Sequence, residues 1–265
     1  MTFKEKYSII PDYIAPNTKR RSGQQIYPAV KFIVAHDTGN PQSTAANNVN
    51  YFKRSAKEQE ASAHIFVDDK QILECVPALT GKTEKAWHVL YNLPTDNKMF
   101  GYNANDAAIG VEYCYGTNIN ADEAYKRYVW VLAYICYKFK LDPNKSIVGH
   151  HILNPGRKFD PVSGLKASGR TYERLLTDIV AEYADCLKQV EVENVIVNRS
   201  GSVKTTSAVK LRAGQPNTKA TCLKVIPANT KLEYIDWTDS GESVGGISKW
   251  FKDKDGNYFW SGATI

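Results

Sequence analysis

Long apolar runs are missing from this chain of 265 residues. No stretch approaches the roughly 18 consecutive apolar residues that would span a bilayer, so membrane insertion is not expected. The amino-terminal MTFKEKYSIIPDYIAP lacks the apolar centre of a signal peptide, which predicts synthesis in the cytoplasm without an export signal. Cysteine is scarce. The five present, Cys75, Cys114, Cys136, Cys186 and Cys222, are odd in number, scattered and free of any CxxC pair. That pattern argues against a disulfide framework and a thiolate zinc site, and it predicts reduced, mostly buried thiols. Blocks of one charge are absent too: 34 basic against 28 acidic residues leave a formal net charge of +6 spread along the chain, too mild to argue for nucleic acid as a partner. Ordinary core material is plentiful, with 43% hydrophobic residues, enough for one large domain or a medium domain with a small companion.

Up to about residue 188 strands and helices alternate. VKFIVAHDTGN predicts a buried strand, Val30 to Ala35, ending at His36 before a turn at Gly39-Asn40-Pro41. Ser43 is placed to cap a helix in which Val49 and Phe52 recur at helical spacing. ASAHIFVD and QILECVPA flank Asp68-Asp69-Lys70 as a hairpin. A polar, irregular stretch from Leu79 to Asn105 leads to AAIGVEYCY, a central strand interrupted by Glu112. Asn120, with Glu123 three residues on, reads as a capping box that opens a helix to about Lys140, with Tyr128, Leu132, Ile135 and Phe139 as its apolar stripe. TYERLLTDIVAEYADCLK is another clear helix. The order predicts an α/β region, a mixed central sheet flanked by helices. From about Val190, short β-rich runs with turn signals predict a small all-β barrel. The expected division is residues 1–188, a linker over 189–205 and a β domain over 206–265.

Reactive groups concentrate in VGHHILNPGRKFDP, residues 148–161. Gly149, Pro155, Gly156 and Pro161 prevent one regular element from running through it, so tertiary contacts or a bound group must hold it. A metal ion is the economical candidate. His36, His150 or His151, and Asp160 could supply the three ligands of a hydrolytic zinc, leaving a position for water. Glu112, a carboxylate in an apolar run, needs a cation or metal nearby.

These residues carry a resemblance to the zinc-dependent N-acetylmuramoyl-L-alanine amidases of the type-2 amidase family, relatives of peptidoglycan recognition proteins. GHHILNPGRKFDP resembles that family's Gly-His-x4-Pro-Gly-Arg-Lys-x-Asp-Pro signature, with FIVAHDT, SAHIFVD, KAWH and IGVEY in the expected order. The resemblance spans about residues 30 to 180. It implies Zn2+ held by His36, His150 and Asp160, with Glu112 as acid/base residue and Lys158 stabilising charge. The bond cut would be the amide between the lactyl group of N-acetylmuramic acid and L-alanine of the stem peptide. His64, Trp87 and His88 are candidates for contact with the peptidoglycan substrate, although His64 is as readily structural, and His151 would be a packing or surface residue. Two positions depart from the family pattern. Asp37 follows the first ligand where a second histidine is common, and Val162 replaces the glycine after Asp-Pro.

The C-terminal part, with VKLRAGQPNTKATCLKVIPANTKLEYID and WFKDKDGNYFW, is similar to bacterial SH3-type domains that bind cell walls. Trp237, Trp250, Tyr258, Phe259 and Trp260 are read first as its core and second as a ligand surface. Together the resemblances imply a monomeric, bacteriolytic peptidoglycan hydrolase of endolysin type, reaching the wall after release from the cytoplasm. Two rivals stand beside it: a non-catalytic peptidoglycan-binding protein, and a zinc peptidase cutting within the stem peptide.

Overall fold

In the computed structural model, residues 2–91, 93–187 and 199–265 are described. They divide into two compact units, residues 1–189 and 190–265.

The first unit is built on its most apolar strands. A short strand β1 (Ile9–Pro11) precedes β2 (Phe32–Asp37), in which all six residues are buried. Helix α1 (Ala45–Arg54) follows, then β3 (Ile65–Val67) and β4 (Ile72–Glu74). Next come α2 (Pro94–Phe100), α3 (Ala104–Ala107) and β5 (Ala108–Tyr113). Helix α4 (Ala121–Phe139), strand β6 (Ile147–Gly149) and helices α5 (His150–Leu153), α6 (Val162–Ala167) and α7 (Tyr172–Leu187) complete it. The sheet order is β1-β4-β3-β5-β2-β6. Only the β3–β4 pairing is antiparallel, as expected of strands joined by a tight turn. Asp68 shapes that turn by accepting from the Lys70 and Gln71 amides.

Helices cover both faces of the sheet. Trp130, Leu132 and Ile135 of α4 and Leu175 and Ile179 of α7 belong to the main core, while Phe32, Val34 and Val148 face a smaller one with Ala104, Ala107 and Leu153. Asn120 caps α4 by accepting from the Asp122 and Glu123 amides. The Glu123 carboxylate pairs with Lys126 and Arg127, so its part in the expected capping box is replaced by ion pairing along the helix.

Two local readings are corrected, and a third, that no single regular element runs through residues 148–161, is borne out. Thr44, one residue after Ser43, caps α1 by accepting from the Asn47 amide. The stretch from Leu79 to Asn105 is not wholly irregular: it contains α2, which Pro94 opens, and it runs into α3, capped by Asn103. Residues 148–161 begin as the end of β6 and one helical turn, α5, before becoming a loop.

The second unit is all β. A two-stranded sheet pairs β7 (Gly201–Lys204) with β10 (Lys231–Tyr234). The five-stranded sheet joins β8 (Val209–Arg212), β9 (Cys222–Ile226), β11 (Asp236–Thr238), β12 (Trp250–Lys252) and β13 (Tyr258–Trp260) in the order β11-β12-β13-β8-β9. Strand β7 lies inside the range expected to be linker, so β structure begins before residue 206; residues 189–198 of that range lie outside the described residues. Trp250 and Phe259 are buried, with Phe259 in the core beside Val209, Leu211 and Phe251, whereas Trp237, Tyr258 and Trp260 are partly exposed. Four of the five cysteines are buried and free; Cys222 is exposed.

Candidate metal and active site

Parallel strands β2, β5 and β6 end on the same side of the sheet, where α/β proteins bind ligands. Register then decides what meets. His36 on β2 is paired with Glu112 on β5, and Ala35 with Gly149 on β6, so His150 leaves the next strand one residue later. Asp160 returns to this edge from the following loop. Its Oδ2 lies 2.8 Å from His36 Nδ1 and 3.0 Å from His150 Nδ1.

Two imidazole nitrogens converging on one carboxylate oxygen form a ready ligand set, and among the described residues this is the group of His, Cys, Asp or Glu that could hold a metal ion. The fit is close. A tetrahedral metal with ligands about 2.0–2.2 Å away spaces its donor atoms roughly 3.3 Å apart, so each histidine nitrogen would need to draw back from Asp160 by only a few tenths of an ångström, and all three donor atoms lie within 4.8 Å of one another. His150 Nε2 and Glu112 Oε2 are buried atoms without a hydrogen-bond partner, and an unpartnered carboxylate oxygen beside a three-ligand cluster suits a nearby cation. The sequence left His150 and His151 open as ligands, and the structure brings His150 to the cluster. His151 packs edge-on against Tyr172, ring centroids 4.8 Å apart.

Burial governs the protonation of the group. It lowers His36 to about 4, so the ring is neutral at pH 7 and its contact with Asp160 is a hydrogen bond rather than an ion pair. Burial pushes Asp160 upward, but hydrogen bonds from His150 and His36 outweigh it and hold this carboxyl below its ordinary range. Glu112 moves the other way. Burial first, then the charges of Asp160 and Asp37, raise it well above an ordinary glutamate, with Lys158 acting against them.

The cleft around these groups has a volume of about 500 Å³ and is lined by His36, His88, Glu112, His150, Lys158 and Asp160 among others. Arg157, Lys158 and Phe159 are exposed at its rim, and Trp87 is half-buried in its wall. His88 is 8% exposed; it lines the cleft, and its Nδ1 lies 3.1 Å from His36 Nε2. The substrate contact expected of His64 is corrected. That ring has no exposed surface, accepts at Nδ1 from the Gly110 amide and donates from Nε2 to the Glu84 carbonyl, so its role is structural.

Asp37 and Tyr128 have roles the sequence did not disclose. The Tyr128 hydroxyl donates to the His36 carbonyl at 2.9 Å, tying α4 to the end of β2. Asp37 is buried, and its Oδ2 accepts from Ser163 Oγ at 2.6 Å and the Gly164 amide at 2.7 Å, while Oδ1 accepts from the Gly39 amide. It thereby fixes the segment just after Asp160 to the strand that carries His36. Gly164 is required for this approach, because a Cβ there would sit 2.8 Å from Asp37 Cβ and from the Tyr115 ring. Asp37→Ala would strand the buried Gly164 amide, and a stability loss of about 1–3 kcal/mol is expected. Urea denaturation of the metal-free chain checks it.

Solved structures share this fold. The catalytic domain of XlyA matches with a TM-score of 0.51 and 23% identity, covering 65% of this chain and 99% of that one. The Staphylococcus aureus hydrolase AmiA, solved with its ligand, matches with a TM-score of 0.54 and 22% identity over 68% of this chain and 85% of that one. The family follows from sequence: residues 26–163, just over half of the chain, match the N-acetylmuramoyl-L-alanine amidase family, and the chain belongs to it. The amidase BlyA of Bacillus subtilis (strain 168) is 33% identical over 148 residues, 52% of this chain and 38% of that protein. The amidase CwlL of Bacillus licheniformis is 25% identical over 229 residues, 84% of this chain and 60% of that protein. The chain thus matches less than two thirds of the length of these relatives.

Proposed function

We propose that the chain is a zinc-dependent peptidoglycan amidase that hydrolyses the bond between the lactyl group of N-acetylmuramic acid and L-alanine of the stem peptide. The observation that carries this reading is the convergence of His36, His150 and Asp160 beside Glu112 on the adjacent strand. A zinc ion held by those three residues supplies a Lewis acid that acidifies water and polarises the scissile carbonyl. Glu112 takes a proton from the attacking water at its carboxylate and returns it to the leaving amine. Its burial favours this role, since a raised pKa makes the carboxylate a stronger base toward the water and lets the protonated carboxyl hold that proton until the amine leaves. Lys158 brings its ammonium to the cleft rim, where it offsets the charge developing on the carbonyl oxygen. Trp87 and Arg157 form the wall that positions the substrate. A soluble muramyl peptide tests the reading: the zinc-loaded chain should release the free peptide, a chelator should stop it, and added zinc should restore it. Failure of both loaded and reloaded protein to cut would favour a binding protein on the same fold.

The second unit has the role of a wall-binding module of the SH3 type. Trp237, Tyr258 and Trp260 remain partly exposed, and the Lys249 ammonium stands 4.1 Å from the centre of the Trp237 ring, a surface suited to a polymer with apolar and anionic parts. A tethered module raises the local concentration of substrate. The full chain should therefore clear intact walls faster than residues 1–188, while both cut a small muramyl peptide at similar rates. Equal clearance, together with no wall binding by a fluorescent fusion of residues 190–265, would remove the targeting role. A monomer acting on the wall after release, as endolysins do, is the setting this reading favours.

A further inference from the structure

The proposed site uses Nδ1 of His36, which leaves Nε2 to be accounted for. It faces Nδ1 of His88 at 3.1 Å, with the two rings nearly perpendicular at 88°. The chain builds this contact deliberately. Asn105 clamps the main chain at residue 88, accepting from the His88 and Val89 amides and donating to the Val89 carbonyl. Gly110 of β5 makes room for the ring: a Cβ there would meet His88 Cγ and Nδ1 at 2.7 Å.

The direction of the His36–His88 hydrogen bond depends on what occupies the ligand set. An ionised carboxylate can only accept. Without a metal, Asp160 therefore requires the His36 proton on Nδ1, so His36 Nε2 accepts and His88 Nδ1 donates. When Nδ1 of His36 becomes a ligand its proton must move to Nε2, and the bond survives only if His88 Nδ1 becomes the acceptor and its own proton moves to Nε2. Each ring keeps one proton throughout, so the pair changes tautomer and not charge.

We propose that His88 is a positioning residue for the metal, a reversible partner that holds His36 in both the empty and the loaded site. The inference rests on the metal site described above. Outer partners of ligating histidines are commonly carboxylates or carbonyls, which can only accept. An imidazole can do either, and as a neutral acceptor it adds no negative charge to a site that already has one carboxylate ligand. The loaded centre keeps more of its positive charge for the substrate.

The test uses the full chain and zinc alone. Zinc affinity, measured by competition with a chromogenic chelator, should fall about 10- to 100-fold in His88→Leu. His88→Asn, whose amide oxygen can take the place of Nδ1, should recover most of it. Long-range proton–nitrogen NMR of the wild type should find the protons of both rings on Nδ1 without zinc and on Nε2 with it. Undiminished zinc affinity in His88→Leu, or a His88 proton that stays on the same nitrogen, would overturn the inference while leaving the metal site standing. A wild-type chain that takes up no zinc would overturn the site and the inference together.

Discussion

Glu112→Gln is expected to cost about 10²- to 10⁴-fold in turnover and, at the same time, to make the metal-free chain more stable at neutral pH. Both effects have one cause. Glu112 is a carboxylate on a central strand with a buried, unpartnered oxygen, and burial raises its pKa well above 4.5. A group whose folded pKa is raised contributes stability below its unfolded pKa and loses that contribution as pH rises through the folded value. Glutamine keeps the shape and cannot ionise. The metal-free variant should match the wild type near pH 4 and exceed it at pH 7 by about 1–3 kcal/mol, the scale of an uncompensated buried polar group. Thermal unfolding at the two pH values checks the stability, and turnover of a muramyl peptide checks the chemistry. Equal stability at pH 7 would mean that the Glu112 carboxylate is well solvated in the folded chain.

The second large effect is expected from Asp160→Ala, and its sign in stability is opposite. Asp160 accepts from both His36 and His150. Because its folded pKa lies below the ordinary value, it contributes stability above the unfolded pKa that is lost only in acid. Removing it at pH 7 should destabilise the metal-free protein. Bound zinc should fall from about one per chain to almost none, a greater loss of affinity than the roughly 10- to 100-fold that an outer partner costs. Elemental analysis after dialysis reads this directly. Zinc retained in full by Asp160→Ala would move the metal elsewhere.

Much of this site was legible in the sequence because its parts are local. The apolar run before His36 marked a buried strand end, and the charge at Glu112 stood out against an otherwise apolar strand. The crowding of histidines, Lys158 and Asp160 between the glycines and prolines of residues 148–161 pointed to a shared site, and the family resemblance chose His150 over His151. What was not legible depends on contacts between distant residues. Asp37 reaches Ser163 across 126 positions, and His36 reaches His88 across 52. No periodicity or turn signal encodes either meeting. Helices α2 and α3 escaped for another reason: they are too short for an apolar stripe and are stabilised by single side chains, such as Asp96, which accepts from the Ala104 amide at 2.8 Å. Ser43 and Thr44 are adjacent hydroxyls that can both cap, serine the more commonly, and only the path of the chain into α1 selects the second.

The bond that is cut tests the central claim most directly. Mass spectrometry of purified cell walls digested with the zinc-loaded chain should find stem peptides with a free L-alanine amino terminus and glycan strands whose muramic acid keeps its lactyl carboxylate, neither forming when zinc is chelated. Fragments opened inside the stem peptide, or glycans with new reducing ends, would contradict it.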